Sequence, residues 1–188
     1  MLVRIISAAV GVAIMIVVFI LHDTILLPII VAAMIAVMLY ELLRAVKLEK
    51  CFPILLAVEL SGISVPLIYN TCAEKYGFAI TLVSVFIIFV TYLAKHKELR
   101  YDKIMFAAAS MMLVPNAMST MVKIENSSEN HGLFLLILGL CGAWIADTGA
   151  YFVGTFFGKR KLCPEISPKK TIEGFVGGSI ATGILFAV

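Results

Sequence analysis

Charge is what this 188-residue sequence has least of: only 14% of its residues are Asp, Glu, Lys or Arg, where soluble domains carry about 25%. Hydrophobic residues make up 62% against about 45–50% in soluble domains, and the mean hydropathy is +1.06. Such a chain cannot cover itself with polar surface in water, which excludes a soluble globular domain. Cysteine is also scarce. Cys51, Cys72, Cys141 and Cys163 are scattered, form no CxxC pair and have no histidine at metal spacing. That pattern excludes a disulfide framework and a zinc site and leaves them as small apolar fillers. There is no low-complexity tract and no clean internal repeat, so residues 1–188 read as a single membrane domain without a soluble module.

What is present is a series of apolar runs. They cover residues 5–21, 24–40, 52–69, 77–94, 104–122, 132–152 and 171–188. Each is close to the roughly 20 residues needed to cross about 30 Å of hydrocarbon at 1.5 Å per residue. The expected fold is all-α, a polytopic membrane helical bundle of about seven transmembrane helices. The first run exceeds the apolar core of a signal peptide, about 7–15 residues, and no small-residue cleavage site follows it. The third is interrupted by Glu59 and Pro66, and the fifth by Pro115.

The net charge of +3 is small, so its placement matters more than its sum. With the N-terminus in the cytoplasm, the inside segments hold thirteen of the fifteen Lys and Arg, and the outside loops hold only Lys75 and Lys123. The positive-inside rule selects that orientation, and it brings the 147–170 region to the cytoplasmic side, where nucleotides are.

The region 142–178 departs from plain membrane spanning. Gly142, Ala146, Ala150, Gly154 and Gly158 recur every four residues, a stripe that lets helix backbones approach closely in lipid. Asp147 stands one position off that stripe, with Tyr151 one turn on. It is some fifteen residues into its run, so roughly 22 Å down a helix. An ionised side chain near a helix centre costs about 2.5–3.5 kcal/mol on insertion scales, so it usually faces a bundle interior or a wet cavity. The alternative is a polar anchor between helices. Glu59 either joins the same cavity or reaches for the interface, and Glu41 is interfacial by position.

A basic stretch follows: Lys159, Arg160 and Lys161, then Ser167-Pro168-Lys169-Lys170-Thr171. Ser167 followed by Pro168 reads as an N-cap and first helical position. That places Lys169 and Lys170 in a first turn, where the helix dipole disfavours cations. A broken local rule marks a functional site, and a helix N-terminus reinforced by lysines suits phosphate. The alternative is a positive-inside loop against anionic headgroups. Gly154-x-x-x-Gly158-Lys159 is not a P-loop, which needs four residues between the glycines and Ser or Thr after the lysine. One acid near a phosphate-binding turn suggests Mg²⁺ held by a carboxylate and substrate phosphates.

Asp147-Thr-Gly-Ala-Tyr-Phe-Val-Gly154, Phe157-Gly-Lys-Arg-Lys-Leu162, Ile166-Ser-Pro-Lys-Lys-Thr-Ile-Glu-Gly174 and Gly177-Gly178 together resemble the phosphatidate cytidylyltransferase (CDP-diacylglycerol synthase) family. The likeness is dense over some forty residues; the preceding runs share only length, number and greasiness. It implies transfer of a cytidylyl group from CTP to phosphatidate with Mg²⁺, giving CDP-diacylglycerol and pyrophosphate in phospholipid biosynthesis. It also implies a bacterial inner membrane setting. By position, Asp147 becomes a metal ligand or electrostatic organiser, and Lys169 and Lys170 hold phosphate oxygens. Lys159, Lys161, Ser167 and Thr171 line the substrate site, and Glu173 orients a lysine or the metal. The implied partners are CTP, phosphatidic acid and membrane lipids, with a homodimer as the assembly to test and no nucleic acid. Family members continue to a second signature rich in Lys, Asp, Arg and His-Gly-Gly, whereas this sequence stops at Val188. The resemblance therefore implies a chain cut short and inactive alone, unless another chain supplies the remainder. The competing reading is a transporter or channel subunit with Asp147 as an ion or proton relay.

Overall fold

The computed structural model describes residues 16, 17, 19–21, 24–127 and 131–187. The expected first span, 5–21, lies outside the described residues but for its last few. The other six runs are helices: α1 (Leu26–Ala45), α2 (Phe52–Ile68), α3 (Gly77–Ala94), α4 (Tyr101–Glu125), α5 (Gly132–Phe157) and α6 (Ile172–Ala187). Among the described residues, four helical stretches are long and apolar enough to cross a membrane: α1, α4, α5 and Glu74–Ala94, which adds a 3₁₀ turn to α3. The helices α2 and α6 are shorter and apolar. The chain is an all-α integral membrane protein apart from one small β-hairpin, and it divides into two compact units, Met1–Glu129 and Asn130–Val188.

In the first unit, Leu27, Val31, Ile35, Leu39 and Leu43 are buried at every fourth position of α1, a single ridge along one side of the helix. The helix closes with Lys47 in the left-handed region at φ 62°. The Lys47 N–H donates to the Arg44 carbonyl at 3.0 Å and the Leu48 N–H to the Leu43 carbonyl at 2.8 Å, the paired bonds of a Schellman cap. Leu48 is buried as tightly as Leu43, so the cap also seals the core.

Three helices meet at Gly62. A Cβ there would collide with Leu39 Cδ1 and come within 3.2 Å of Ile35 Cγ2 and 3.3 Å of Pro115 Cγ. The interrupting Pro66 and Pro115 are both buried at this level of the unit, where neighbouring helices make broken backbone ladders tolerable. In contrast, α3 buries only Ser84, Ile88 and Thr91. The Thr91 hydroxyl donates back to the Ile87 carbonyl at 2.7 Å, which satisfies it without a partner helix.

The second unit is α5 and α6 packed antiparallel and joined by the hairpin of β1 (Lys161–Cys163) and β2 (Ser167–Thr171). The small-residue stripe of α5 is the seam. It faces a matching stripe on α6 formed by Gly174, Gly178 and Thr182. A Cβ on Gly178 would lie 2.5 Å from the Ala146 carbonyl oxygen, and one on Gly174 would lie 2.7 Å from that of Ala150. The Thr182 hydroxyl lies 3.0 Å from the Gly178 carbonyl of its own helix and 3.4 Å from the Gly142 carbonyl across the seam. Apolar association cannot drive helices together in lipid, so contact this close supplies the adhesion through van der Waals packing.

Candidate active site

The polar end of the second unit is built around Thr171. The helix starts at Ile172, not at Ser167: residues 167–171 form β2, paired antiparallel with β1. This corrects the expected helix start, and with it the placement of Lys169 and Lys170 in a helical first turn. The physical reason is tertiary: Ser167 would be extended as an N-cap too, but pairing with β1 carries the extended conformation on through Thr171. Cys163 pairs with Ser167 and Lys161 with Thr171. Between those pairs β2 has Pro168, Lys169 and Lys170 against Leu162 alone. The strand bulges there, a position that accommodates a residue without an N–H. Pro164 follows Cys163 at the tip, where the Ile166 N–H donates to the Cys163 carbonyl at 3.2 Å, a β-turn with proline at its favoured second position.

Thr171 caps α6, its Oγ1 accepting from the Gly174 N–H at 3.2 Å. It is buried against Gly154 of α5 and Gly158, which caps the end of that helix. A Cβ on Gly154 would sit 3.0 Å from Thr171 Oγ1, and one on Gly158 would meet Thr171 Cγ2 at 2.7 Å and the Gly154 carbonyl oxygen closer still. The Ile172 N–H donates to the Arg160 carbonyl at 2.9 Å. Two donors of the first turn are thus consumed inside the protein, which removes the helix N-terminus as the main anion donor. Any phosphate held here must be held by side chains.

Glu173 completes the frame. Its Oε2 accepts from the backbone N–H groups of Lys159 and Arg160, both at 3.1 Å, and Oε1 lies 3.2 Å from the Arg160 nitrogen. The carboxylate therefore fastens the loop backbone, an arrangement also favoured by its place in the first turn of a helix. With the backbone fixed, Lys159, Arg160 and Lys161 are exposed where the chain enters the hairpin, and Lys169 and Lys170 are exposed on β2. Among the described residues none of these five cations is in a salt bridge; Arg100 and Asp102, paired at 3.1 Å, lie in the first unit.

The hairpin thus brings together seven of the eight expected site residues: Lys159, Lys161, Ser167, Lys169, Lys170, Thr171 and Glu173. Asp147 is not among them. It is ten residues before the end of α5, about 15 Å along the helix. It is exposed on the face that turns away from α6, with Trp144 and Tyr151 on the same side. It makes no hydrogen bond or ion pair among the described residues. A magnesium ion fits it in one respect, since Mg²⁺ commonly takes one or two carboxylates and fills its shell with phosphates and water. Among the described residues there is no group of three or more His, Cys, Asp or Glu to form a cage. In the first unit, Glu41 is exposed on α1, and Glu59 on α2 is half-buried with one carboxylate oxygen enclosed and unpartnered.

Sequence reasoning missed two parts of this site. The capping threonine was hidden behind the Ser-Pro signal, although Thr171 stands immediately before the apolar run of α6. The Gly174, Gly178 and Thr182 stripe repeats at the same four-residue interval as the stripe it faces, and that interval was the available clue.

Comparison with known proteins agrees with the resemblance. The chain is 32% identical over 164 residues to the phosphatidate cytidylyltransferase of Bacillus subtilis (strain 168), covering 85% of this chain and 61% of that protein. It is 54% identical over 55 residues to the phosphatidate cytidylyltransferase of Haemophilus influenzae, covering 29% of this chain and 19% of that one. With the enzyme of the same description from Aquifex aeolicus it shares 43% over 68 residues, 36% of this chain and 25% of the relative. The chain thus spans less than two thirds of the length of these relatives. No solved structure matches it. The model of the cytidylyltransferase family matches residues 2–188, and the chain belongs to that family.

Proposed function

We propose that this chain carries the nucleotide- and lipid-phosphate-binding part of a phosphatidate cytidylyltransferase. The observation that carries the reading is the hairpin: five cations displayed together without carboxylate partners, on a backbone pinned by Glu173. Its reacting partners are CTP and phosphatidate. A phosphate oxygen of phosphatidate attacks the α-phosphorus of CTP, a new P–O bond forms, and the bond to the β-phosphate oxygen breaks to release pyrophosphate. No protein nucleophile is required. The work left to the chain is positioning and charge neutralisation, as in other phosphoryl-type transfers.

Lys169 and Lys170, re-aimed by the bulge, hold phosphate oxygens, with Lys159 and Lys161 on the facing arm. Ser167, flanked by Pro168, supplies a hydroxyl at the foot of β2. Thr171 and Glu173 keep the two arms in register. Asp147 is the carboxylate through which Mg²⁺ would bind, and the ion would supply charge neutralisation of the triphosphate. The placement of thirteen of fifteen cations supports a cytoplasmic orientation for this hairpin, in a bacterial inner membrane.

The test is cytidylyl transfer in detergent micelles with labelled CTP, phosphatidic acid and Mg²⁺, alongside CTP binding by equilibrium dialysis. The paired variant Lys169→Gln, Lys170→Gln should lose CTP binding while keeping its helical circular dichroism, and Asp147→Asn should lose the Mg²⁺ dependence of binding. CTP binding unchanged in the lysine variant would sink the proposal.

A further inference from the structure

A groove of about 620 Å³ runs along the second unit, lined by Val153 and Phe157 of α5 and by Ile172, Val176, Ile180 and Ile184 among the residues of α6. Glu173 is its one charged lining residue, and Glu173 is bonded to the backbone N–H groups of Lys159 and Arg160. The basic loop therefore sits at the mouth of the groove. From Glu173 to Ile184 is eleven residues, roughly 16 Å of helix, about one leaflet of a ~30 Å hydrocarbon core. Gly177 and Ala181, one turn apart, are the smallest residues lining it within that length. A second groove of the same volume lies in the first unit between α2 and α3, but no charged residue lines it. Of the two, only the groove in the second unit pairs an apolar trough with cations at one end.

We infer that this groove is the acyl-chain subsite for the lipid substrate: one fatty acyl chain of phosphatidate lies along Val176, Ile180 and Ile184 while its phosphate rests on the cations of the hairpin. The inference deepens the proposed function and rests on it. The charge pattern selects the occupant. An anionic phosphate on an apolar tail matches cations above a trough, whereas a zwitterionic lipid gains less at the mouth. The carboxylate of Glu173 does not repel the phosphate strongly, because the backbone N–H groups of Lys159 and Arg160 already engage it.

The experiment uses phosphatidic acid with a diazirine at the end of one acyl chain, photolysed with the full chain in micelles, and maps the labelled residues by mass spectrometry. Two variants accompany it. Ile180→Trp fills the groove at a position 58% exposed, so folding is spared, and Phe175→Trp is the control at a 62% exposed position of the same helix outside the groove. The expected result is label on 176–184 that excess long-chain phosphatidic acid removes and phosphatidylcholine does not. Ile180→Trp should weaken that competition by roughly tenfold, the scale on which apolar pockets discriminate small changes of shape, and Phe175→Trp should leave it unchanged. Short-chain phosphatidic acid, too short to reach Ile180, should bind equally to both variants. Label that phosphatidylcholine removes equally well would mean ordinary bilayer contact and would overturn the subsite. Long-chain phosphatidic acid that binds through the lysines yet leaves no label on 176–184 would overturn the subsite alone. If neither lipid bound through the hairpin, the proposed function would fall together with the subsite.

Discussion

The seam between α5 and α6 makes a demanding prediction, because Gly178→Ala adds one methyl where there is no room. The new Cβ would stand 2.5 Å from the Ala146 carbonyl oxygen and 3.1 Å from Ala150 Cβ. The first distance is roughly 0.9 Å short of ordinary contact, which begins near 3.4 Å, and a backbone carbonyl cannot swing aside as a flexible side chain does. The helices must part locally, and overpacking of this kind costs about 1–3 kcal/mol. Gly183→Ala is the internal reference, on the same helix with nothing within 4 Å of the added methyl. Both substitutions gain a similar helix propensity, up to about 1 kcal/mol, so that gain cancels in their difference. Gly178→Ala should therefore be less stable than Gly183→Ala by about 1–3 kcal/mol. SDS titration of the folded chain in mixed micelles measures this, read by circular dichroism and by Trp144, the single tryptophan, which is carried on α5. Equal midpoints for the two variants would refute the close approach of the backbones.

Two further predictions bear on the ends of helices. Thr171→Ala should destabilise the second unit by about 1 kcal/mol, the usual cost of a lost N-cap, and Thr171→Ser should recover most of it; amide exchange at Gly174 should rise in the first and return toward normal in the second. In the first unit, Lys47→Gly should raise the SDS midpoint by the equivalent of about 1 kcal/mol, since glycine adopts the left-handed conformation that a lysine side chain resists, and a lowered midpoint would count against the Schellman geometry.

The membrane character and the positions of six helices were legible because hydropathy in lipid is an almost complete code: a backbone crossing hydrocarbon must satisfy itself, and an α-helix is the way a single apolar run can do so. The stripe from Gly142 to Gly158 was legible for the same reason, since small residues at a four-residue interval have few uses other than close helix contact. Propensity signals were less reliable at the polar end. Ser167-Pro168 is a valid local signature of a helix start, yet the chain extends through it, because strand pairing with 161–163 is a tertiary choice. That choice leaves the cap to Thr171, four residues on. Asp147 is a different case. Its sequence position is conspicuous, but the expectation of an interior cavity depended on what packs against the outer face of α5, and hydropathy holds no information about that.

The displaced helix start changes the chemistry that can be assigned to the lysines. In a helical first turn, Lys169 and Lys170 would oppose the dipole and require an anion to offset it. In the bulge of β2 they oppose nothing, and their availability comes instead from the lack of an ion pair: among the described residues neither Glu165 at the tip of the hairpin nor Glu173 bridges to them. The carboxylate of Glu173 is held by the Lys159 and Arg160 amides rather than by any ammonium group. A carboxylate committed to backbone donors fixes the loop while leaving its lysines free of an ion pair. Positive charge is thereby concentrated on a rigid support, the condition under which a polyphosphate is bound with little reorganisation of the protein.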